Sequence, residues 1–251
     1  MRTDLRLVED WTLFHKLQED PAAEPVACRL SGELFPYQLP ALDPLLLLDQ
    51  ARRHPLARIL SQKPDRRIDV TATCGERVKS MPLAQVAEDP HLHLSLFAVE
   101  ELRAPAGALH ALEETVMAPM ARAWHANRIR WEGPFTYVIF ITGRASATNY
   151  HIDPMPTLPW NLFGAKRFHG LKDPLRWYPA RAEAEATGGE FPLRPEGITE
   201  DDCVVHDNRP GDLVWIPGQT PHWVDAGSFS ATLTFILPKM RIAGREMVAV
   251  G

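Results

Sequence analysis

The sequence predicts a mainly β protein with helices, built as a barrel or sandwich behind a helical N-terminal portion. Of the 251 residues, 23 are proline, against a usual share of about 5%, so long helices should be few. Residues 135–142 (FTYVIFIT) are a dense run of β-forming side chains. In residues 230–237, Ala231, Leu233, Phe235 and Leu237 point to one face, while Ser230, Thr232 and Thr234 point to the other. That alternation suits a barrel whose interior holds polar groups.

Three further elements are predicted in the first half of the chain. Residues 45–53 have helical character and follow Pro44, a favourable residue in a first helical turn. Residues 109–125 carry an apolar stripe at helical spacing, which Pro119 should kink or split because proline cannot donate the helical hydrogen bond. Residues 68–73 alternate apolar and polar side chains and are typical of a strand.

The chain is interpreted as one domain, residues 1–251, because it shows neither an internal repeat nor a linker. Residues 1–130 form its helix-rich portion, and residues 131–240 form the β core that carries the candidate site. Residues 173–207 are polar and contain a Gly-Gly pair. A loop of this length inside a compact domain is usually functional, so we expect it to act as a lid.

Composition excludes several classes of protein. The chain has 27 basic and 32 acidic residues, a net charge of −5, and no basic run, so nucleic acids and anionic membranes are not expected partners. Its richest apolar run, residues 45–48, is far shorter than the roughly 18 residues of a membrane span. Residues 1–20 lack the apolar core of a signal peptide. Three cysteines without a CxxC pair fit a reducing compartment, so we expect a cytoplasmic protein.

The first candidate metal-binding element is His151-Ile152-Asp153. With 10 histidines and 32 acidic residues, about one His-x-Asp/Glu pattern is expected by chance. The pattern alone therefore does not indicate a metal site, and the neighbouring residues must support that assignment. Residues i and i+2 of an extended segment project to the same side, so an imidazole and a carboxylate can hold one ion. Pro154 favours the extended conformation at Asp153.

A second element, residues 210–223 (PGDLVWIPGQTPHW), predicts a turn, a strand, another turn and then His222 at the start of a strand. Two imidazoles and one carboxylate are the set that non-haem Fe(II) oxygenases use, and they leave three coordination positions open. Zinc also accepts these ligands, so the ligand types alone leave the metal undecided.

Lys166 and Thr148 are candidate cosubstrate-binding residues. A 2-oxo acid chelated to iron needs a cation for its remote carboxylate and a hydroxyl donor. Lys166 follows a predicted Gly164 turn and enters the next strand, and Thr148 lies three residues before His151.

Taken together, these segments resemble the JmjC/cupin-type Fe(II)/2-oxoglutarate oxygenases. The resemblance covers about residues 135–237 and rests on three motifs in order: residues 140–153 (FITGRASATNYHID), 164–166 (GAK) and 210–222 (PGDLVWIPGQTPH). It implies a double-stranded β-helix, the cupin or jelly-roll fold. The ordered occurrence of all three motifs is far more specific than any one of them.

The resemblance also implies a role for each matched residue. His151, Asp153 and His222 would bind Fe(II) as the catalytic centre, and Lys166 and Thr148 would hold 2-oxoglutarate. Asn161 would contact the cosubstrate from the following strand. Three prolines crowd that segment (Pro154, Pro156 and Pro159), so a bent or edge strand with uncertain register is expected there.

The implied activity is hydroxylation of a small molecule, a peptide or a protein side chain, with dioxygen consumed and succinate and CO2 released. Asp153 favours hydroxylation over halogenation, because a halogenase would carry a small residue there. Expected partners are the substrate and, at most, a second copy of the chain in a homodimer. Two alternatives remain open: a metal-binding cupin isomerase and a catalytically silent cupin that acts as a binding module.

One other histidine pair needs an interpretation. His91 and His93 form an H-x-H pattern inside an alternating apolar stretch. No third ligand is near them in the sequence, so we expect structural roles for both.

Overall fold

The computed structural model describes residues 28–30, 37–62, 68–73, 75–119, 121–122, 130–131, 136–153, 157–177, 194–216, 220–236, 240–242 and 245–246. Its helices lie mostly in the first half of the chain: α1 Pro44–Arg53, α2 Gly75–Ser80, α3 Leu83–Glu88, α4 Glu100–Arg103, α5 His110–Leu112 and α6 Pro174–Trp177. None of these helices is long and apolar enough to cross a membrane.

The predicted helix after Pro44 is confirmed as α1. The Asp43 carboxylate accepts hydrogen bonds from the backbone N–H groups of Leu45 and Leu46, which satisfies two donors that the first turn leaves free. In the helical segment predicted for residues 109–125, α5 is followed by a π-helical turn, Glu113–Met117, and helical backbone continues at residues 118–119 and 121–122. The described residues therefore show a distortion before Pro119 but no split of the helix at it. Pro119 has no N–H, and its ring crowds the carbonyl four residues earlier.

Fifteen strands are present among the described residues: β1 Cys28–Leu30, β2 Arg58–Gln62, β3 Ile68–Thr73, β4 His93–Leu96, β5 Arg130–Trp131, β6 Thr136–Thr142, β7 His151–Ile152, β8 Thr157–Phe163, β9 Lys166–Leu171, β10 Cys203–Asn208, β11 Leu213–Trp215, β12 Pro221–Ala226, β13 Ser230–Ile236, β14 Met240–Ile242 and β15 Arg245–Glu246. Eight strands form the large sheet in the order β1-β11-β8-β13-β6-β4-β2-β3, and four form the small sheet in the order β10-β9-β12-β7. All their pairings are antiparallel. The predicted mainly β, jelly-roll architecture is therefore confirmed.

The main hydrophobic core lies outside the sandwich, between the large sheet and the N-terminal helices. The alternate residues Ala231, Leu233 and Phe235 of β13 face this core, as do Tyr137, Ile139 and Ile141 of β6. Thr232 and Thr234 of β13, together with Val138 and Phe140 of β6, instead line a cavity between the sheets. The polar face predicted for residues 230–237 is thus the inner face.

β8 departs from the sequence-based expectation, because it is neither bent away nor at an edge: it lies between β11 and β13. The N–H groups of Thr157 and Asn161 donate to Ile216 and Asp212 on the β11 side. Pro159 lies midway between them, so the position without an N–H group also faces the β11 side. The ladder between β8 and β11 has only one register pair, Leu213 with Trp160. A central strand tolerates this proline because the ladder is already interrupted there.

Candidate functional site

Three side chains could hold a metal ion, and the structure brings them together as predicted. His151 on β7 and His222 on β12 are register partners in the small sheet, with ring centroids 4.0 Å apart. Asp153 follows β7, and its Oδ2 lies 3.7 Å from His222 Nε2. One ligand atom from each residue lies within 4.8 Å of the other two.

Backbone carbonyls fix the orientation of both imidazoles. His151 Nδ1 lies 2.7 Å from the carbonyl oxygen of Asn149, and His222 Nδ1 lies 2.9 Å from that of Thr220. A carbonyl can only accept, so each Nδ1 carries the proton and each Nε2 keeps its lone pair for a metal. The carbonyl lies two residues before the histidine in both cases, which gives the two ligands the same local support.

Burial keeps His222 neutral. The ring is 4% exposed, and its pKa is lowered chiefly by burial and further by His151, while Asp153 opposes the shift. A neutral imidazole is the form that coordinates a metal. Two imidazoles and one carboxylate therefore form a donor set that fits a divalent ion such as Fe(II).

The cavity has a volume of about 370 Å³, in the range of small-molecule sites. It lies between the inner faces of the two sheets. Most of its wall is apolar, with Val138, Phe140, Phe168, Ile216 and Val224 among the lining side chains. The metal-ligand cluster and a few other polar groups interrupt this wall.

Lys166 lines the cavity and is 5% exposed. Burial lowers the pKa of its ammonium group from 10.5 to about 7. Among the residues that the structure describes, no carboxylate forms an ion pair with it. Burying a cation without a counterion is unfavourable in free energy, so an anion bound beside Lys166 would stabilise its charged form.

The predicted Gly164 turn positions Lys166. β8 ends at Phe163 and β9 begins at Lys166, and Gly164 has φ +72°. A Cβ at Gly164 would also collide with the carbonyl oxygen of Phe229. Glycine is therefore required here for both reasons.

Thr148 lines the same cavity and is half-buried. Its backbone N–H donates to the Val224 carbonyl, and its Oγ1 accepts from the Val224 N–H at 2.8 Å. Because Oγ1 is an acceptor in that contact, its own hydrogen remains available to a ligand.

Asn161 is not brought to the cavity. It lies on the same face of β8 as Thr157 and Pro159, which do line the cavity, but near the end of the strand. Its amide donates to the carbonyls of Gly164 and Asn208. The contact with the cosubstrate that the resemblance implied for Asn161 is therefore not supported by its position, because Asn161 lies near the end of β8, away from the described cavity residues.

Among the cavity residues that sequence reasoning did not assign to the site are two with basic side chains, His93 and Arg58. His93, expected to be structural, lines the cavity and is 3% exposed. Burial, reinforced by Lys166, His151 and Arg58, lowers its pKa to about 3. Arg58 of β2 also lines the cavity. The alternation of residues 91–96 predicted a strand, but no sequence pattern indicated which cavity it would face.

The outer face of the small sheet carries a second cluster, behind the metal ligands. The Tyr150 hydroxyl donates to the Trp177 carbonyl at 2.6 Å, and His169 stacks on Trp223 with ring centroids 4.4 Å apart. His169 thus lies on the opposite face of β9 from Lys166. In residues 173–207, the described parts contribute to this outer face and to β10, and none of them lines the cavity. Residues 178–193 of the expected lid lie outside the described residues.

Comparison with known proteins identifies the fold. No protein-family model matches the chain, and no curated protein matches it. The solved structure of Escherichia coli YcfD is 14% identical, with a TM-score of 0.57 over 89% of this chain and 52% of that one. YcfD described as a ribosomal oxygenase in complex with cobalt and 2-oxoglutarate is 16% identical, with a TM-score of 0.54 over 90% of this chain and 52% of that one. This chain therefore has the fold of these oxygenases and spans about half their length.

Proposed function

We propose that this protein is an Fe(II)- and 2-oxoglutarate-dependent oxygenase that hydroxylates its substrate. The observation that carries the proposal is Lys166, a buried ammonium without a protein counterion, in the same cavity as a cluster of two histidines and one carboxylate. A metal ion bound by the cluster would not by itself explain why a lysine is buried in the same cavity. A dicarboxylate cosubstrate that chelates the metal at one end and needs a counter-charge at the other end accounts for both features.

In this proposal each residue has a separate task. His151, Asp153 and His222 hold Fe(II), with the imidazoles fixed by the carbonyls of Asn149 and Thr220. Lys166 pairs with the distal carboxylate of 2-oxoglutarate, and the Thr148 hydroxyl donates to the same group. When bound, Fe(II) and 2-oxoglutarate supply the activation of dioxygen, with succinate and CO2 as coproducts. The apolar wall excludes water from that chemistry.

The isomerase and silent-cupin alternatives account less well for this cavity. Both would use the metal cluster or the shape of the barrel, but neither provides an anion for Lys166. The similarity to YcfD structures, one of them in complex with cobalt and 2-oxoglutarate, supports the oxygenase. The proposed substrate of this chain is a small molecule, a peptide or a protein side chain.

An anaerobic titration tests the proposed function directly. We expect that Fe(II) followed by 2-oxoglutarate gives a visible metal-to-ligand charge-transfer band, because the 2-oxo acid chelates the metal. Succinate should give no band, since it lacks the 2-oxo group. Metal binding without the band would instead favour a metal-binding cupin isomerase, and absence of metal binding would favour a silent module.

Replacing Thr148 with valine should weaken 2-oxoglutarate binding by about tenfold, the effect of one hydrogen bond to a charged group. Thr148→Ser keeps the hydroxyl and should bind nearly as well as the wild type. Fe(II) affinity, measured separately, should stay unchanged in both variants because the metal ligands are intact. Equal 2-oxoglutarate affinities in the valine and serine variants would remove Thr148 from the proposed site.

A further inference from the structure

The rim of the cavity differs from its interior. Among the described residues that line the cavity, only Arg58 and Phe97 are exposed, with Phe97 47% exposed. They stand on neighbouring strands, because Arg58 of β2 pairs with Ser95 of β4 and Phe97 directly follows β4. A molecule bound at this exposed part of the cavity can therefore contact a guanidinium group and an aromatic ring.

Arg58 is the cavity charge that the proposed cofactors leave uncompensated. The positive charges of Fe(II) and the Lys166 ammonium are balanced by the Asp153 carboxylate and the two carboxylates of 2-oxoglutarate. The histidines are neutral as ligands or, for His93, because burial holds its pKa near 3. Among the described residues no carboxylate forms an ion pair with Arg58.

We propose that the substrate is a small carboxylic acid with an apolar body, whose carboxylate pairs with Arg58 while the apolar body packs on Phe97. This inference rests on the proposed function and deepens it, because it specifies the substrate class of the same site. A guanidinium group pairs with a carboxylate through two parallel hydrogen bonds. It also repels a cationic side chain, so a basic peptide does not fit this rim.

A matched pair of probes tests this assignment: 3-phenylpropanoate and its uncharged amide, 3-phenylpropanamide. Binding is measured by calorimetry on protein loaded with Co(II) and saturating 2-oxoglutarate, which keeps Lys166 occupied. The wild type should bind the acid about tenfold more tightly than the amide. The preference should shrink as salt is raised, because Arg58 is exposed.

Three variants and one control separate the contribution of Arg58 from that of Phe97. Arg58→Gln should abolish the preference for the acid, and Arg58→Lys should retain part of it. Phe97→Ala should weaken the acid and the amide alike. Arg53→Gln, at an exposed arginine of α1 that does not line the cavity, should behave as the wild type.

The inference would be overturned if the wild type showed no preference for the acid, which includes the case that it binds neither probe. It would be overturned equally by a preference for the acid that survives in Arg58→Gln. Tighter binding of an aspartyl peptide, N-acetyl-Phe-Asp-amide, would also overturn it in favour of a peptide substrate. Uptake of 2-oxoglutarate is measured first in the same protein. If that uptake fails, the proposed function fails; if it succeeds and the probes do not discriminate, only the present inference fails.

Discussion

Replacing Lys166 with methionine is expected to weaken 2-oxoglutarate binding by at least about 30-fold and to stabilise the protein without ligand. Removing one partner of a desolvated ion pair typically costs about 2–5 kcal/mol, and each ~1.4 kcal/mol is tenfold in affinity. Methionine fills similar space with no charge. Fe(II) binding should remain nearly unchanged because His151, Asp153 and His222 are intact.

The expected stabilisation follows from the pKa of Lys166, which burial lowers from 10.5 to about 7. Each pKa unit corresponds to ~1.4 kcal/mol, so the buried ammonium costs on the order of 5 kcal/mol below pH 7. Between about pH 7 and 10.5 the unfolded chain binds more protons at this residue than the folded chain. The free energy of unfolding of the wild type should therefore rise with pH across that window.

Thermal unfolding against pH checks this expectation. At pH 6 Lys166→Met should unfold roughly 10 °C or more above the wild type, and the difference should shrink as the pH rises through 7. Lys166→Arg, which keeps the charge, should gain no stability and recover part of the 2-oxoglutarate affinity. A wild type and a methionine variant with the same unfolding profile would mean that Lys166 is solvated and not part of an anion site.

The same titration should appear in ligand binding. If bound 2-oxoglutarate holds Lys166 protonated, binding takes up a proton above pH 7, and affinity should fall by up to about tenfold per pH unit. In Lys166→Met this contribution is absent, so the dependence above pH 7 should flatten.

Replacing Asp153 with alanine is expected to abolish activity and to weaken Fe(II) binding by at least about 100-fold, while the fold persists. Groups that only orient a metal ligand already cost 10–100-fold in affinity or activity when they are removed, and Asp153 would be a ligand itself. Its side chain is 34% exposed, and it belongs to none of the hydrophobic clusters. Its removal should therefore leave the thermal unfolding temperature nearly unchanged.

Calorimetric Fe(II) titration under anaerobic conditions gives the readout for Asp153→Ala. Asp207→Ala is the matched control, because Asp207 is an exposed carboxylate on β10 that does not line the cavity. His222→Ala should lose metal affinity in the same way as Asp153→Ala. Unchanged Fe(II) affinity in Asp153→Ala would contradict the ligand assignment, and loss of cooperative unfolding would mean that Asp153 is a structural residue.

The local spacing of residue types was sufficient to predict the helices and strands and much of the candidate site. The alternation of residues 230–237 predicted which face of β13 is inner, since successive side chains of a strand point to opposite faces. The same spacing placed His151 and Asp153 together, and the Gly164 turn predicted where Lys166 begins its strand. Each of these inferences depends only on residues near one another in the chain, where backbone geometry fixes the outcome.

Tertiary structure alone decided which of the inward-facing residues reach the cavity. Asn161 has the right parity but lies at the end of β8 beside Gly164, and Pro159 occupies a central strand because the β11 ladder is interrupted there. Arg58 and His93 join the site because β2 and β4 extend the large sheet next to β6. Strand order and register are set by packing between distant segments. The sequence on its own therefore determined which residues could face inward, and the assembled sheets determined which of them line the cavity.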